Sequence, residues 1–357
     1  MTSVPRGKQM KICSNCVLPE TFPGIRFNSE GVCNYCQAHE KRKRNVGEVK
    51  ERYKKKFISV INELNKPNQP NQLRSGAYEV LMAYSGGKDS TYTLWMLKED
   101  FSLNVLAVTF DHGFVSGRAL ENIRKVTEAL NVDHITIRPK RETLRRVFVR
   151  AINGDDFPMK ALERASSICN TCMNLVKSFL TKTAIEMRVP IVAYGWSPGQ
   201  APVQSSVLRT NPSMIRRMQQ ATKRTLSEED QAELQGFFID EGFFSALEQK
   251  PSLPFPYFVN PLAFMDYDEQ KIYERIKELG WVAPEDTDAN STNCLLNAFA
   301  NEVHLQKYGF HPYALEVATL VREGHMGREE GLKKLSARSD LGIVEYVIER
   351  LGVERVE

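Results

Sequence analysis

The run Ser85-Gly86-Gly87-Lys88-Asp89-Ser90 constrains this chain more than any other stretch. The apolar run Val80-Leu81-Met82-Ala83-Tyr84 precedes it and reads as a buried strand. The segment Thr91–Lys98 follows it and reads as a helix. A strand, a glycine-rich turn and a helix N-terminus together make an anion site. Free backbone N–H groups point outward there, and the helix dipole favours negative charge. Two adjacent glycines let the backbone turn tightly and approach a phosphate. Lys88 adds a mobile point charge, and Ser85 and Ser90 add hydroxyl donors. The plainer alternative is an ordinary Gly-Gly turn. The spacing is not the Walker pattern G-x-x-x-x-G-K-[ST].

These six residues resemble the PP-loop of the ATP pyrophosphatases, the adenine nucleotide alpha-hydrolase group. The resemblance implies cleavage of ATP between the alpha and beta phosphates. AMP would be attached to a carbonyl oxygen and then displaced by nitrogen or sulfur. It marks Ser85, Gly86, Gly87, Lys88, Asp89 and Ser90 as ATP-binding, with Lys88 and Asp89 close to the chemistry. Asp89 has two readings: a ligand for Mg²⁺ between phosphates, or a helix cap.

From Tyr78 to about Trp196 the pattern alternates strand and helix. Val105–Phe110, His134–Ile137 and Ile191–Tyr194 read as further strands. Residues 120–130 and 175–187 read as helices. The expected class is α/β, a parallel sheet with helices on both faces (PP-loop or HUP-like), with a zinc module before it and a helical region after it. Ligands in such sheets bind beyond the carboxyl ends of the strands. By the resemblance, Phe110, Asp111 and Gly195 are further ATP contacts.

The cysteines divide the remaining chemistry. Of seven, four lie in the first 36 residues and three far downstream. No apolar run approaches the ~20 residues of a membrane span. The polar N-terminus lacks a signal-peptide core. The expected location is therefore cytoplasmic, where cysteines serve metal or catalysis rather than structural disulfides. Cys13/Cys16 and Cys33/Cys36 are two C-x-x-C knuckles separated by 16 residues. Four thiolates complete a closed tetrahedron, which predicts structural Zn²⁺ over residues 1–40. Unliganded thiols and a small iron–sulfur cluster are the alternatives. A basic amphipathic helix and a proline-marked linker at Lys66–Gln72 follow, together spanning 41–72. Val49, Tyr53, Phe57, Val60, Ile61 and Leu64 form the helix's apolar stripe.

Cys169-Asn170-Thr171-Cys172 reads as a helix start, where thiols are poised as thiolates. Cys294 follows a polar run and precedes another helix. Three thiolates can hold a [4Fe-4S] cluster with one iron left open. A redox disulfide with persulfide chemistry, a second zinc and inert buried thiols are the other readings. The triad resembles the iron–sulfur branch of PP-loop sulfurtransferases, such as the archaeal and thermophilic tRNA 2-thiouridine synthetases. The loop after Gly195, Trp196–Pro202, departs from the acidic, His-containing stretch usual there.

The N-terminal module, basic helix and loop in that order also resemble the N-acetyl sugar amidotransferases of surface-polysaccharide pathways. The run Arg322–Leu332 extends that resemblance toward their closing helix pair. That family implies ammonia from a separate glutaminase subunit. Net charge is +4, too weak to demand nucleic acid. The expected domains continue with the nucleotide domain at 73–200, an insert at 201–260 whose basic stretch suits an anionic substrate, and a helical region at 261–357 that brings in Cys294. The expected activity is adenylation followed by sulfur transfer through Cys169, Cys172 and Cys294. Nitrogen transfer to an acetamido sugar is the alternative. The acceptor is a small molecule or RNA, the second partner a sulfur donor or a glutaminase, with no membrane and with room for a homodimer.

Overall fold

The computed structural model describes residues 10–64, 77–249 and 255–354. The expected linker at 66–72 lies outside the described residues, as do Pro251 and Pro254.

The described strands form one six-stranded sheet in the order β3-β2-β1-β4-β6-β5. They are β1 (Val80–Ala83), β2 (Val105–Phe110), β3 (Asp133–Ile137), β4 (Ile191–Tyr194), β5 (Val207–Arg209) and β6 (Tyr257–Val259). All pairings are parallel except β5 with β6 at one edge. β1 is interior, with Val80 opposite both Val105 and Ile191. Its apolar run is continuous because both faces are covered. Val80 and Met82 join the core that holds Leu94 and Ile123. Leu81 joins the opposite core with Leu180 and Ala184.

The helices follow the chain. α1 (Asn34–Leu64) precedes the sheet, and α2 (Lys88–Trp95) and α3 (Gly117–Ala129) fall between its strands. Next come α4 (Arg141–Asn153), the single turn α5 (Met159–Leu162) and α6 (Ser167–Glu186). The segment between β5 and β6 holds α7 (Pro212–Arg224), α8 (Glu228–Glu233) and α9 (Glu241–Gln249). The remainder is helical: α10 (Glu269–Glu278), α11 (Leu296–Tyr308), α12 (Ala314–Glu323), α13 (Arg328–Ser336) and α14 (Leu341–Leu351). None of the described helices is long and apolar enough to cross a membrane.

Three sequence expectations meet a different structure. The sheet continues past residue 200, because the segment read as an insert supplies β5 and β6. Each has three residues, too few for a visible period of two. α1 runs unbroken through residue 40, so one helix carries both Cys36 and the buried stripe Phe57, Val60, Ile61 and Leu64. α6 begins at Ser167, two residues before the helix start read at Cys169, because the Ser166 side chain accepts from Cys169 N and caps the helix there.

Candidate functional site

The loop after β1 is built to stay open toward a ligand. Gly86 has φ +75°, and a Cβ there would stand 2.6 Å from Ala119 O on α3. Only glycine fits. The buried Trp281 indole donates to Gly86 O at 2.9 Å and fixes the turn. Ser90 Oγ donates to Gly87 O, and the Ser85 and Ser90 hydroxyls stand 3.0 Å apart. The N-cap of α2 is Gly87, which supplies no capping side chain, and Asp89 lies in the first turn with its carboxylate turned to Lys88 and Tyr267. Asp89 therefore does not cap the helix.

Lys88 is pinned rather than mobile. Its ammonium donates to Tyr267 Oη at 2.8 Å and Asp89 Oδ1 at 2.9 Å, and pairs with Glu269 at 3.0 Å. Burial opposes the charge, but Asp89, Tyr267 and Glu269 outweigh it and hold the amine protonated. Tyr267, Glu269 and Trp281 gave no signal in the sequence, since they reach the loop from far along the chain. The backbone N–H of Lys88 donates to Thr292 Oγ1 at 3.0 Å. The loop bearing Cys294 thus sits directly on the glycine loop.

The three distal cysteines belong to one apolar cluster, with Phe114, Leu175 and Leu296. All seven cysteines are free. The expected thiolates are overturned: burial pushes the Cys169 thiol up, Cys172 up to about 12, and Cys294 well up. Desolvation outweighs the helix dipole at Cys169 and Cys172. The Cys294 backbone N–H donates to Ser291 Oγ at 3.1 Å, and the residue bridges antiparallel to Val115. Ionising these thiols requires a cation, and a coordinating metal deprotonates thiols outright. His112, which sequence reasoning missed, stands with Nε2 3.7 Å from Cys294 Sγ. Its Nδ1 accepts from Phe114 N, so Nε2 carries the proton and faces the sulfur. Burial lowers this imidazole to about 4, so it is a neutral donor.

Two cavities meet at the cysteine pair. The smaller, about 200 Å³, is walled by Ser85, Ser90, Phe110, Gly195, Cys172 and Asn293, among others. The larger, about 750 Å³, includes Cys169. They share Met173, Tyr194 and Trp196. The structure therefore gathers Ser85, Ser90, Phe110 and Gly195 at one cavity. Lys88 and Asp89 stand beside α10 instead. Asp111 lines a neighbouring cavity, accepting from Gly113 N at 2.9 Å and pairing with Arg138. Gly195 also packs on α2: a Cβ there would lie 2.5 Å from Ser90 Cα. Both atoms are backbone-fixed, so Gly195→Ala should push the loop after β4 off the helix. We expect ATP binding, followed by titration calorimetry, to weaken at least about tenfold, in line with an overpacking cost of about 1–3 kcal/mol. Wild-type affinity would show that this packing does not shape the site.

The N-terminal four cysteines form a separate centre. All four are buried, with their sulfurs within 4.8 Å of one another. The Cys13–Cys36 and Cys16–Cys33 sulfurs stand 3.9 and 3.7 Å apart. A tetrahedron with Zn–S of about 2.3 Å has edges of about 3.8 Å, so the set fits one such ion. Among the described residues, only this group gathers three or more such ligands closely enough to hold a single ion. Arg328 clamps it, donating to Cys13 O and Cys16 O at 3.0–3.3 Å.

A family of unknown function (DUF7411) matches residues 78–197. An uncharacterized protein of Methanocaldococcus jannaschii is 26% identical over 326 residues, 90% of this chain and 92% of that protein. Argininosuccinate synthase of Alkalilimnicola ehrlichii is 39% identical over 113 residues, 32% of this chain and 26% of the enzyme. Among solved structures, the U34-tRNA thiolase NcsA of Methanococcus maripaludis with its [4Fe-4S] cluster is similar at TM-score 0.35 and 16% identity, covering 97% of this chain and 100% of that one. The Ser-Gly-Gly-Lys-Asp-Ser loop leaves an interior strand of a mostly parallel sheet and opens the helix behind it, the arrangement that the PP-loop resemblance implies.

Proposed function

We propose that the protein is an ATP pyrophosphatase that adenylates a carbonyl-type oxygen and replaces it with sulfur through Cys169, Cys172 and Cys294. One observation carries the reading: Cys172 and the glycine loop wall the same cavity, and the Cys294 loop is bonded to the glycine loop through Thr292. The N-terminal end of α2 binds the phosphates, with Phe110 and Gly195 beside the nucleoside. Asp89, held by Lys88 and Tyr267, would be the carboxylate ligand for Mg²⁺. The acceptor oxygen attacks the alpha phosphorus and pyrophosphate leaves. A sulfide-level donor then attacks the activated carbon, and AMP leaves with the oxygen.

The distal residues fit a [4Fe-4S] cluster. Three thiols share one apolar cluster, and the neutral His112 N–H faces the Cys294 sulfur as a donor. Bound by three thiolates, such a cluster would leave one iron open to a sulfur species. The N-terminal four fit structural Zn²⁺.

Anaerobic purification with metal and sulfide analysis tests the reading. We expect about one zinc and about four irons per chain. With ATP, sulfide and acceptor, AMP and pyrophosphate should form in step with thiolated product. Two zincs without iron would remove the cluster. Turnover that needs ammonia and ignores sulfide would establish nitrogen transfer with a glutaminase partner instead.

A further inference from the structure

We propose that the larger cavity is the acceptor subsite and that it takes a small planar molecule carrying a single carboxylate or phosphate. Its place in the reaction rests on the adenylation reading above; its binding chemistry does not.

The floor is flat and aromatic. The Tyr194 and Trp196 rings stack at 4.5 Å with 14° between planes. Lys177 stands over the Trp196 ring with Nζ 4.8 Å from the centroid. Among the described residues no carboxylate is paired with it, and burial alone lowers its ammonium to about 8. Lys177 is half-buried, and an amine held there without a counter-ion costs stability unless a ligand supplies the anion. The cavity wall also carries buried polar atoms with no partner: Tyr194 Oη, Asn260 Nδ2, Asn301 Oδ1 and Glu316 Oε2. Tyr194, Asn260 and Asn301 are 3%, 2% and 5% exposed. Native structures leave few such atoms unpaired, and these four belong to residues that line one cavity. A donor amide, a donor hydroxyl and two acceptor oxygens match the polar edge of a heterocycle or amide.

Size and charge exclude a polyanion. The volume of about 750 Å³ falls within the range of small-molecule sites. Arg164 already donates to Gly199 O and lies under the β4 loop, and Arg224 sits exposed at the rim. Lys177, the cation over the aromatic stack, therefore matches one anionic group, while the carboxyls of Glu316 and Asp156 in the same wall oppose a chain of phosphates. Cys169 in the same wall places that ligand next to the sulfur centre.

The test uses the full chain without ATP. Benzoate, nicotinate and phenyl phosphate are the anionic probes, benzamide and nicotinamide their neutral counterparts, and bulk tRNA the polyanion. Binding is read by tryptophan fluorescence, with Trp196→Phe identifying the responding ring. We expect at least one anionic probe to bind, its neutral counterpart to bind about tenfold to hundredfold more weakly, and Lys177→Met to abolish the difference. Carboxylate against phosphate preference identifies the anion. Lys177→Met should also raise the melting temperature of the free protein, since it removes an unpaired buried amine. A purely structural lysine would lower it. Equal binding of charged and neutral probes, no binding of any small probe, or tRNA binding alone that is lost in Lys177→Met each overturns the proposal. ATP binding is measured in parallel. Its loss with probe binding intact defeats the adenylation reading and leaves the subsite standing.

Discussion

Cys294→Ala should cut thiolated product by about a thousandfold or more while ATP still binds, the scale expected when a group acting directly on the reaction is removed. The separation follows from placement. Cys172 and Asn293 wall the nucleotide cavity, whereas Cys294 packs behind it against His112. Its loop reaches the glycine loop through Thr292, not through the sulfur. Alanine at 294 therefore leaves the phosphate site in place. Pyrophosphate release dependent on acceptor should persist, since adenylation needs no sulfur. Thr292→Val is the counterpart: it removes the acceptor for Lys88 N–H and should weaken ATP binding while the cysteines stay. Three measurements separate the two: ATP affinity, pyrophosphate release and product. Full product formation by Cys294→Ala would end the sulfur-centre reading. Loss of ATP binding in that variant would make Cys294 a structural prop for the loop.

The glycine-loop half of this site was legible because it is local. Strand, glycine turn and helix succeed one another within twenty residues, and each carries its own signal: an apolar run, two glycines, a helix start. The cysteine pairs were legible by spacing. What sequence could not show arrives from a distance. Lys88 is neutralised by Tyr267 and Glu269, and Gly86 is held by Trp281. None of these residues has a pattern of its own, because a phenol or an indole looks the same in any core. The protonation of the thiols was misread for a related reason. A helix start is visible in sequence, but the apolar shell that raises the thiols is assembled from β2, α4, α6 and α11. β5 and β6 escaped because three-residue strands are defined by their neighbour, not by their own periodicity.

Withdrawing the metal from Cys13, Cys16, Cys33 and Cys36 should unfold more than the segment that binds it. The module has little core of its own. Val17, Leu18 and Phe22 are buried, but in the same cluster as Ala314, Val317, Leu320 and Met326 from the C-terminal helices. Phe22 meets Phe310 edge to face at 5.1 Å, and a Cβ on Gly331 would stand 3.1 Å from Val17 Cγ1. Arg328 is tied to two carbonyls of the first knuckle, and Arg322 Nη1 lies 3.6 Å from Cys16 Sγ. Without an ion, four sulfurs this close cannot all ionise, and the knuckles lose their centre. Structural zinc contributes on the order of 10 kcal/mol to small domains of this kind, so chelation or Cys33→Ser should release the module and then α12 and α13. Limited trypsin digestion reads this directly: new cuts at Arg322 and Arg328 should appear before any inside the sheet. The glycine loop draws its bonds from Tyr267, Trp281 and Thr292 and should still bind ATP at first. If the metal-free protein keeps its melting temperature and its digestion pattern, the shared core holds the module without help, and the four cysteines serve something other than structure.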